Sequence, residues 1–235
     1  MPLPGKSIIC NSTQNKDCYF CSSWTDGTHE ALLQNKTTVK FRKGQVIFHQ
    51  ETRPLNAYSI YKGKVKIVRE GFLGKDQILE VLKKGELLCL KDTLISEFYT
   101  ASAVALEETY LCIISKDYFL DLRNTQPLFY DRLMQNLTRR INDLEDRTLY
   151  LAQKSVRQRL AIALLDLHEK FGVQSFTESY LDLTLSREDI ANLIGTATES
   201  AIRLLSEFKK EGLITFSGKK IVLTNILLLR RIAEI

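Results

Sequence analysis

The sequence predicts an α+β fold: an N-terminal antiparallel β-roll of jelly-roll type, one long dimerisation helix, and a C-terminal winged helix-turn-helix. Three observations predict it. Residues 37–114 are a string of short β-favouring runs punctuated by glycine. After Pro127, apolar residues recur in a heptad pattern. The stretch SREDIANLIGTATESAIRLLSEF, residues 186–208, joins two short amphipathic segments through one glycine. At 235 residues the chain is long enough for two hydrophobic cores. The expected divisions are a cysteine-containing arm at 1–24, the roll at 25–126, the dimerisation helix at 127–153 and the winged-helix domain at 154–235.

The strands are read from TVKF, QVIF, AYSIY, KVKIV, QILEVL and TYLCII, which Gly44, Gly63, Gly71, Gly74 and Gly85 separate. Alternation such as KVKIV marks a strand with one face in a core. Pattern alone leaves sandwich, roll and barrel open. In the helix, Tyr130, Met134, Leu137, Ile141, Leu144, Thr148 and Leu151 recur at alternating steps of four and three, with charged residues between them. So narrow a seam fits a parallel coiled-coil dimer, with Thr148 as its weak point. A helix packed on its own roll would show a wider stripe.

Ser155 to Phe171 reads as a further helix, followed by a glycine-containing break and the alternating segment TESYLDLTL. Ser186 with Asp189 three residues on has the form of a capping box, in which hydroxyl and carboxylate satisfy each other's amides. Ile190, Leu193 and Ile194 give that helix an apolar face. Gly195 ends it, because glycine takes a left-handed conformation without steric cost. Thr196 with Glu199 offers a second start signal, and Ala201, Leu204, Leu205 and Phe208 trace the buried face of the next helix. The run LITFSGKKIVLT then reads as a hairpin turning at Ser217 and Gly218, with Lys219 and Lys220 where a wing meets phosphates. Two helices in this layout can place the second in the DNA major groove. They can also be a plain packing unit, with Glu199 and Arg203 as an ordinary surface pair.

Composition narrows the partners less. The chain is 44% hydrophobic and 26% charged, with a formal net charge of +5, which permits an anionic partner without demanding one. No apolar run approaches the ~20 residues of a membrane span, and the first residues lack a secretory pattern, so the expected place is the cytoplasm, with no membrane partner. Five cysteines, an odd number, argue against a disulfide framework there. No Ser/His/Asp set, P-loop or HExxH motif points to an enzyme.

The stretch LSREDIANLIGTATESAIRLLSEFKKEGLI resembles the DNA-binding signature of the CRP/FNR transcription regulators. Upstream, FRKGQVIF, YKGKVKIV and KKGEL are similar to that family's sensory β-roll, and the heptad helix falls where its dimer helix lies. The resemblance implies a homodimer on double-stranded DNA, with RNA polymerase as partner. It puts the family's base-reading acid and arginine on Glu199 and Arg203, which read a G-A step of the half-site. Carboxylates accept from cytosine N4, and arginine donates to guanine O6 and N7. Ser186, Arg187 and Ser200 match phosphate contacts. Thr196 and Thr198, at the start of the reading helix, complete the candidate DNA-contacting set. Thr198 stands where the cyclic-AMP branch has arginine, and Ile202 where the oxygen-sensing branch has serine, so the operator should differ from both outside the shared step. Ile202 is expected either on a thymine methyl or against the wing.

The resemblance bears on three signals. In the cyclic-nucleotide branch a glutamate binds the ribose and an arginine the phosphate. Leu90 and Tyr99 stand at those places here, which disfavours cyclic AMP. Cys18 and Cys21 with Cys112 are similar to the iron-sulfur branch. Its third arm cysteine falls on Gly27, so Cys10 would have to complete the four thiolates of a tentative iron-sulfur cluster. The alternatives are structural or reactive thiols. Cys89 matches no such role and is expected in the core. Haem ranks lower, because His29, His49 and His168 are isolated. The alternative from another class is a cyclic-nucleotide-type roll serving as a regulatory or scaffold subunit through protein contacts.

Overall fold

The computed structural model describes residues 18–22, 29–71, 74–174 and 179–234. The chain divides into two compact units, Met1–Ile141 and Asn142–Ile235.

In the first unit, strands β1 (Lys36–Phe41), β2 (Val46–Phe48), β3 (Asn56–Lys62), β4 (Lys64–Glu70), β5 (Asp76–Lys83), β6 (Ser102–Ala105) and β7 (Thr109–Ser115) form two antiparallel sheets. Their orders are β1-β7-β3 and β2-β6-β4-β5. Phe41, Ile60 and Leu111 of one sheet meet Phe48, Val65, Ile67, Leu82 and Ala103 of the other in a shared core. This is the double-sheet roll that the alternating runs predict. Strand β6 is the one the sequence reading passed over. Its SAVA turns only two alanine methyls, Ala103 and Ala105, to the core, too little apolar contrast to stand out.

The opposite face of the three-stranded sheet carries a second core. Ala57, Cys112 and Ile114 point into it, one residue out of phase with Leu111. It is covered by α1 (Tyr19–Ser22), α2 (His29–Asn35), α4 (Lys116–Thr125) and the first turns of α5 (Pro127–Gln153), through Phe20, Leu32, Phe119, Phe129 and Leu133. Phe129 meets Tyr19 and Phe119 edge-on, with ring centroids 5.7 and 5.8 Å apart. Strand β7 is therefore buried on both faces, which explains the unbroken apolar run TYLCII. Short α3 (Leu90–Ile95) adds Leu90 to this core.

Helix α5 uses its heptad seam unevenly. Tyr130 and Leu137 pack against the core of their own unit. Met134, Ile141, Leu144 and Leu151 are 37, 54, 54 and 55% exposed. Thr148 is also exposed, and its hydroxyl donates back to the Leu144 carbonyl at 2.8 Å.

In the second unit, α6 (Val156–Phe171) starts at a reciprocal Ser155–Gln158 capping box. Strands β8 (Gly172–Gln174), β9 (Ser179–Leu181), β10 (Ile214–Ser217) and β11 (Lys220–Leu223) form a sheet in the order β10-β11-β9-β8. Helices α7 (Arg187–Ile194), α8 (Thr198–Lys210) and α9 (Ile226–Ala233) complete the unit. Leu160, Leu164, Ile190, Ile194, Ala201, Leu205 and Phe208 are nearly or fully buried. The β10–β11 hairpin pairs Ser217 with Lys220, so its turn residues are Gly218 and Lys219, one residue later than the sequence reading placed them. Gly218 carries φ 60, the positive value that a tight hairpin turn of this kind requires at its first central position.

Candidate nucleic-acid interface

The reading head is built by local chemistry. At the start of α7 the Ser186 hydroxyl accepts from the Asp189 amide, and the Asp189 carboxylate accepts from the Ser186 amide, each at 2.9 Å. Gly195 ends α7 in the left-handed region, φ 66 and ψ 55. The Thr196 amide then donates to the Ala191 carbonyl at 3.0 Å, closing the turn. Arg159 of α6 holds this turn from outside: its guanidinium donates to the Ile194 and Gly195 carbonyls at 2.9 and 3.3 Å. Those are the unpaired carbonyls that every helix end leaves. Nothing near Arg159 in sequence signals this role, because its partners lie 35 and 36 residues away.

One expectation is corrected. The N-cap of α8 is Ala197, with no side-chain cap, so Thr196 does not start the helix and Glu199 is not its capping partner. Thr196 is instead spent on the turn, where its amide bond to Ala191 fixes it one position too early to cap. The Glu199 carboxylate is thereby left outside any capping box.

On α8, Ala201, Leu204, Leu205 and Phe208 are buried and form one stripe. Glu199, Ile202 and Arg203 lie on the other side, exposed and at the i, i+3, i+4 spacing that shares a face. Among the described residues, Glu199 makes no hydrogen bond or ion pair. Among the described residues Arg203 has only a 3.9 Å approach to Glu207, with its side chain 73% exposed. A pair at that distance and exposure is worth under ~1 kcal/mol. Ile202 is 46% exposed, an apolar side chain open to solvent on the same face. Thr198 and Ser200 are half-buried beside the stripe. The far end of α8 is anchored by Arg157, which pairs with Glu207 and Glu211 and lies over the Phe208 ring at 4.9 Å.

The basic candidates differ in their surroundings. Lys219 is exposed at the tip of the hairpin. Lys220 is held by Asp182 at 3.1 Å and lies 4.6 Å from the centre of the Tyr180 ring. Arg187 stacks on Phe216 of β10 with its guanidinium carbon 4.3 Å from the ring centroid, and burial lowers its pKa. Phe216 was not among the residues the sequence singled out.

In the first unit, Cys18, Cys21 and Cys112 are brought into one buried cluster. Each sulfur has its own polar neighbour: Cys18 lies 3.9 Å from the Ser59 hydroxyl, Cys21 accepts from the Lys36 ammonium at 3.0 Å, and Cys112 lies 4.0 Å from the Thr38 hydroxyl. Cys10 and Gly27 lie outside the described residues. Among the described residues no group of three or more histidine, cysteine or acidic side chains is placed to hold a metal ion. Cys89 is core, at φ 38 before α3, with its thiol pKa pushed up by burial. Leu90 and Tyr99 are 1 and 3% exposed. The Tyr99 ring stacks on Phe48 at 3.9 Å and its hydroxyl donates to the Asn56 carbonyl. Neither side chain carries a cation for a phosphate. His49 belongs to the first unit and His168 to the second, and the side chain of His29 is outside the described ones.

Comparison with known proteins agrees with this layout. A family model for the cyclic nucleotide-binding domain matches residues 38–126, and one for the Crp-like helix-turn-helix domain matches residues 158–232. The regulatory protein HlyX of Actinobacillus pleuropneumoniae is 28% identical over 88% of this chain and 87% of its own. The fumarate and nitrate reduction regulatory protein of Escherichia coli K12 is 28% identical over 89% of this chain and 86% of its own. The fold is that of FixK2 from Bradyrhizobium japonicum, with a TM-score of 0.74 at 23% identity over 84% of this chain and 96% of that one. With a roll and a helix-turn-helix matched in the right order, and regulators similar over nearly the whole length, the chain belongs to the CRP/FNR family of transcription regulators.

Proposed function

We propose that this DNA-binding transcription regulator acts as a homodimer in the cytoplasm, its two α8 helices entering the major groove about one turn apart on a roughly palindromic site. The observation that carries the reading is the exposed stripe of Glu199, Ile202 and Arg203, backed by a fully buried opposite face. Arg203 donates to the O6 and N7 of the guanine in the G-A step of each half-site, and Glu199 accepts from the N4 of the cytosine paired with it. Ile202 lies against a thymine methyl. Ser186, Arg187, Ser200 and Lys219 meet phosphates and set the register. Thr196 and Thr198 stand just before the base-reading pair.

The exposed half of the α5 seam pairs with its counterpart in a second copy through Met134, Ile141, Leu144 and Leu151. A signal received by the roll or the arm biases the orientation of the two reading heads, which requires a different affinity for the two arrangements. The buried Leu90 and Tyr99 support a signal other than cyclic AMP. RNA polymerase is the partner that converts site occupancy into transcription.

Selection from random duplexes, followed by salt titration of the winners, tests the proposal. A twofold-symmetric consensus containing the G-A step is the expected outcome. Recovery of no consensus, or of an asymmetric one, overturns it.

A further inference from the structure

Phe216 joins three parts of the reading head. The Arg187 guanidinium, on the first residue of α7, lies 4.3 Å from its ring centroid, and the Lys209 ammonium, near the end of α8, lies 5.9 Å from it. The ring itself belongs to β10. Arg187 is half-buried and has lost hydration, yet an arginine stays charged at any pH the protein meets. Among the described residues no carboxylate, carbonyl or hydroxyl accepts from it. A desolvated cation without an acceptor is unfavourable until an anion arrives. Stacking occupies only the flat face of a guanidinium. Its N–H donors project from the edge, in the fork that matches two phosphate oxygens.

We propose that Phe216 is a positioning residue for DNA binding: its ring holds the Arg187 guanidinium edge-out, so that a backbone phosphate meets a preassembled clasp. This rests on the DNA reading above, and deepens it by naming what orients one of its phosphate contacts. An arginine free to rotate loses that freedom on binding, whereas one already stacked has little left to lose. The clasp carries no sequence information, because phosphates are alike along the duplex. It sets how tightly every site is held, while Glu199 and Arg203 set which site is preferred.

The test uses the full chain, a selected duplex and a shuffled one, each titrated with salt. Phe216→Leu should weaken both duplexes by the same factor, about 3- to 10-fold, and reduce the salt slope by up to about 1. Phe216→Trp should bind as the parent does. In an Arg187→Gln background Phe216→Leu should have no further effect, because the ring acts through the guanidinium. Phe216→Met, large and apolar without a ring face, serves if the leucine variant does not fold. The proposal is overturned if Phe216→Leu or Phe216→Met binds like the parent, if the loss persists undiminished in the Arg187→Gln background, or if Phe216→Trp is as weak as Phe216→Leu. A parent that binds both duplexes equally defeats the base-reading assignment of Glu199 and Arg203 instead, and leaves the uniform loss at Phe216 to decide the clasp.

Discussion

Arg203 and Gly195 show how differently two exposed residues of one small motif are constrained. Arg203 is 73% exposed and loosely paired, so Arg203→Ala should leave thermal stability nearly unchanged. In competition between duplexes differing at one base pair, the same variant should lose ~1 to 3 kcal/mol of discrimination. Gly195 is constrained by backbone, at φ 66. Gly195→Ala should lower unfolding stability by ~1 kcal/mol or more in urea denaturation, because an added Cβ is strained there. A third expectation concerns pH. Burial pushes the Tyr19 phenol up to about 12, from 10.0 in an open chain. The folded state therefore holds a proton that the unfolded state gives up, so stability is undiminished below pH 10 and falls as pH rises toward 12. Tyr19→Phe should flatten that alkaline loss in a pH series of denaturant melts. At this scale the sequence disclosed whatever acts locally, such as the Ser186–Asp189 box and the Gly195 stop. It hid whatever acts at a distance: Arg159 on the α7 carbonyls, Phe216 beneath Arg187, and the choice of Ala197 over Thr196 as cap.

Elements were legible in proportion to their periodic contrast. Strand KVKIV and the α8 stripe announce themselves because polar and apolar positions alternate at the right period. Strand β6 and the short helix α3 did not, since four residues of SAVA or six of LKDTLI carry too few repeats. Helix α5 gave its existence in the sequence but not its division of labour. Its early turns carry Phe129 and Leu133, each 1% exposed, on the same helix as the half-open Ile141 and Leu144. These two sets should respond oppositely to substitution. Phe129→Ala should cost ~3 to 5 kcal/mol, as a large core side chain does. Ile141→Glu with Leu144→Glu should leave each protomer folded by circular dichroism while sedimentation reports monomers. A stable dimer from that double variant removes the seam as the pairing surface.

At the scale of the whole molecule, two units of different character are joined in one chain, a roll with two cores and a winged helix with an open reading face. The first unit carries buried thiols and a stacked Tyr99–Phe48 pair. The second keeps an acid and a base outward at one-turn spacing. Their assigned task predicts a selective dependence on one atom. Replacing the guanine of the G-A step by 7-deazaguanine in each half-site removes the N7 acceptor, which only the major groove presents. Parent protein should bind this duplex about tenfold more weakly than the natural one, and Arg203→Ala should bind the two equally. Equal affinity of the parent for both duplexes, or an equal loss in parent and variant, contradicts the placement of α8 in the groove.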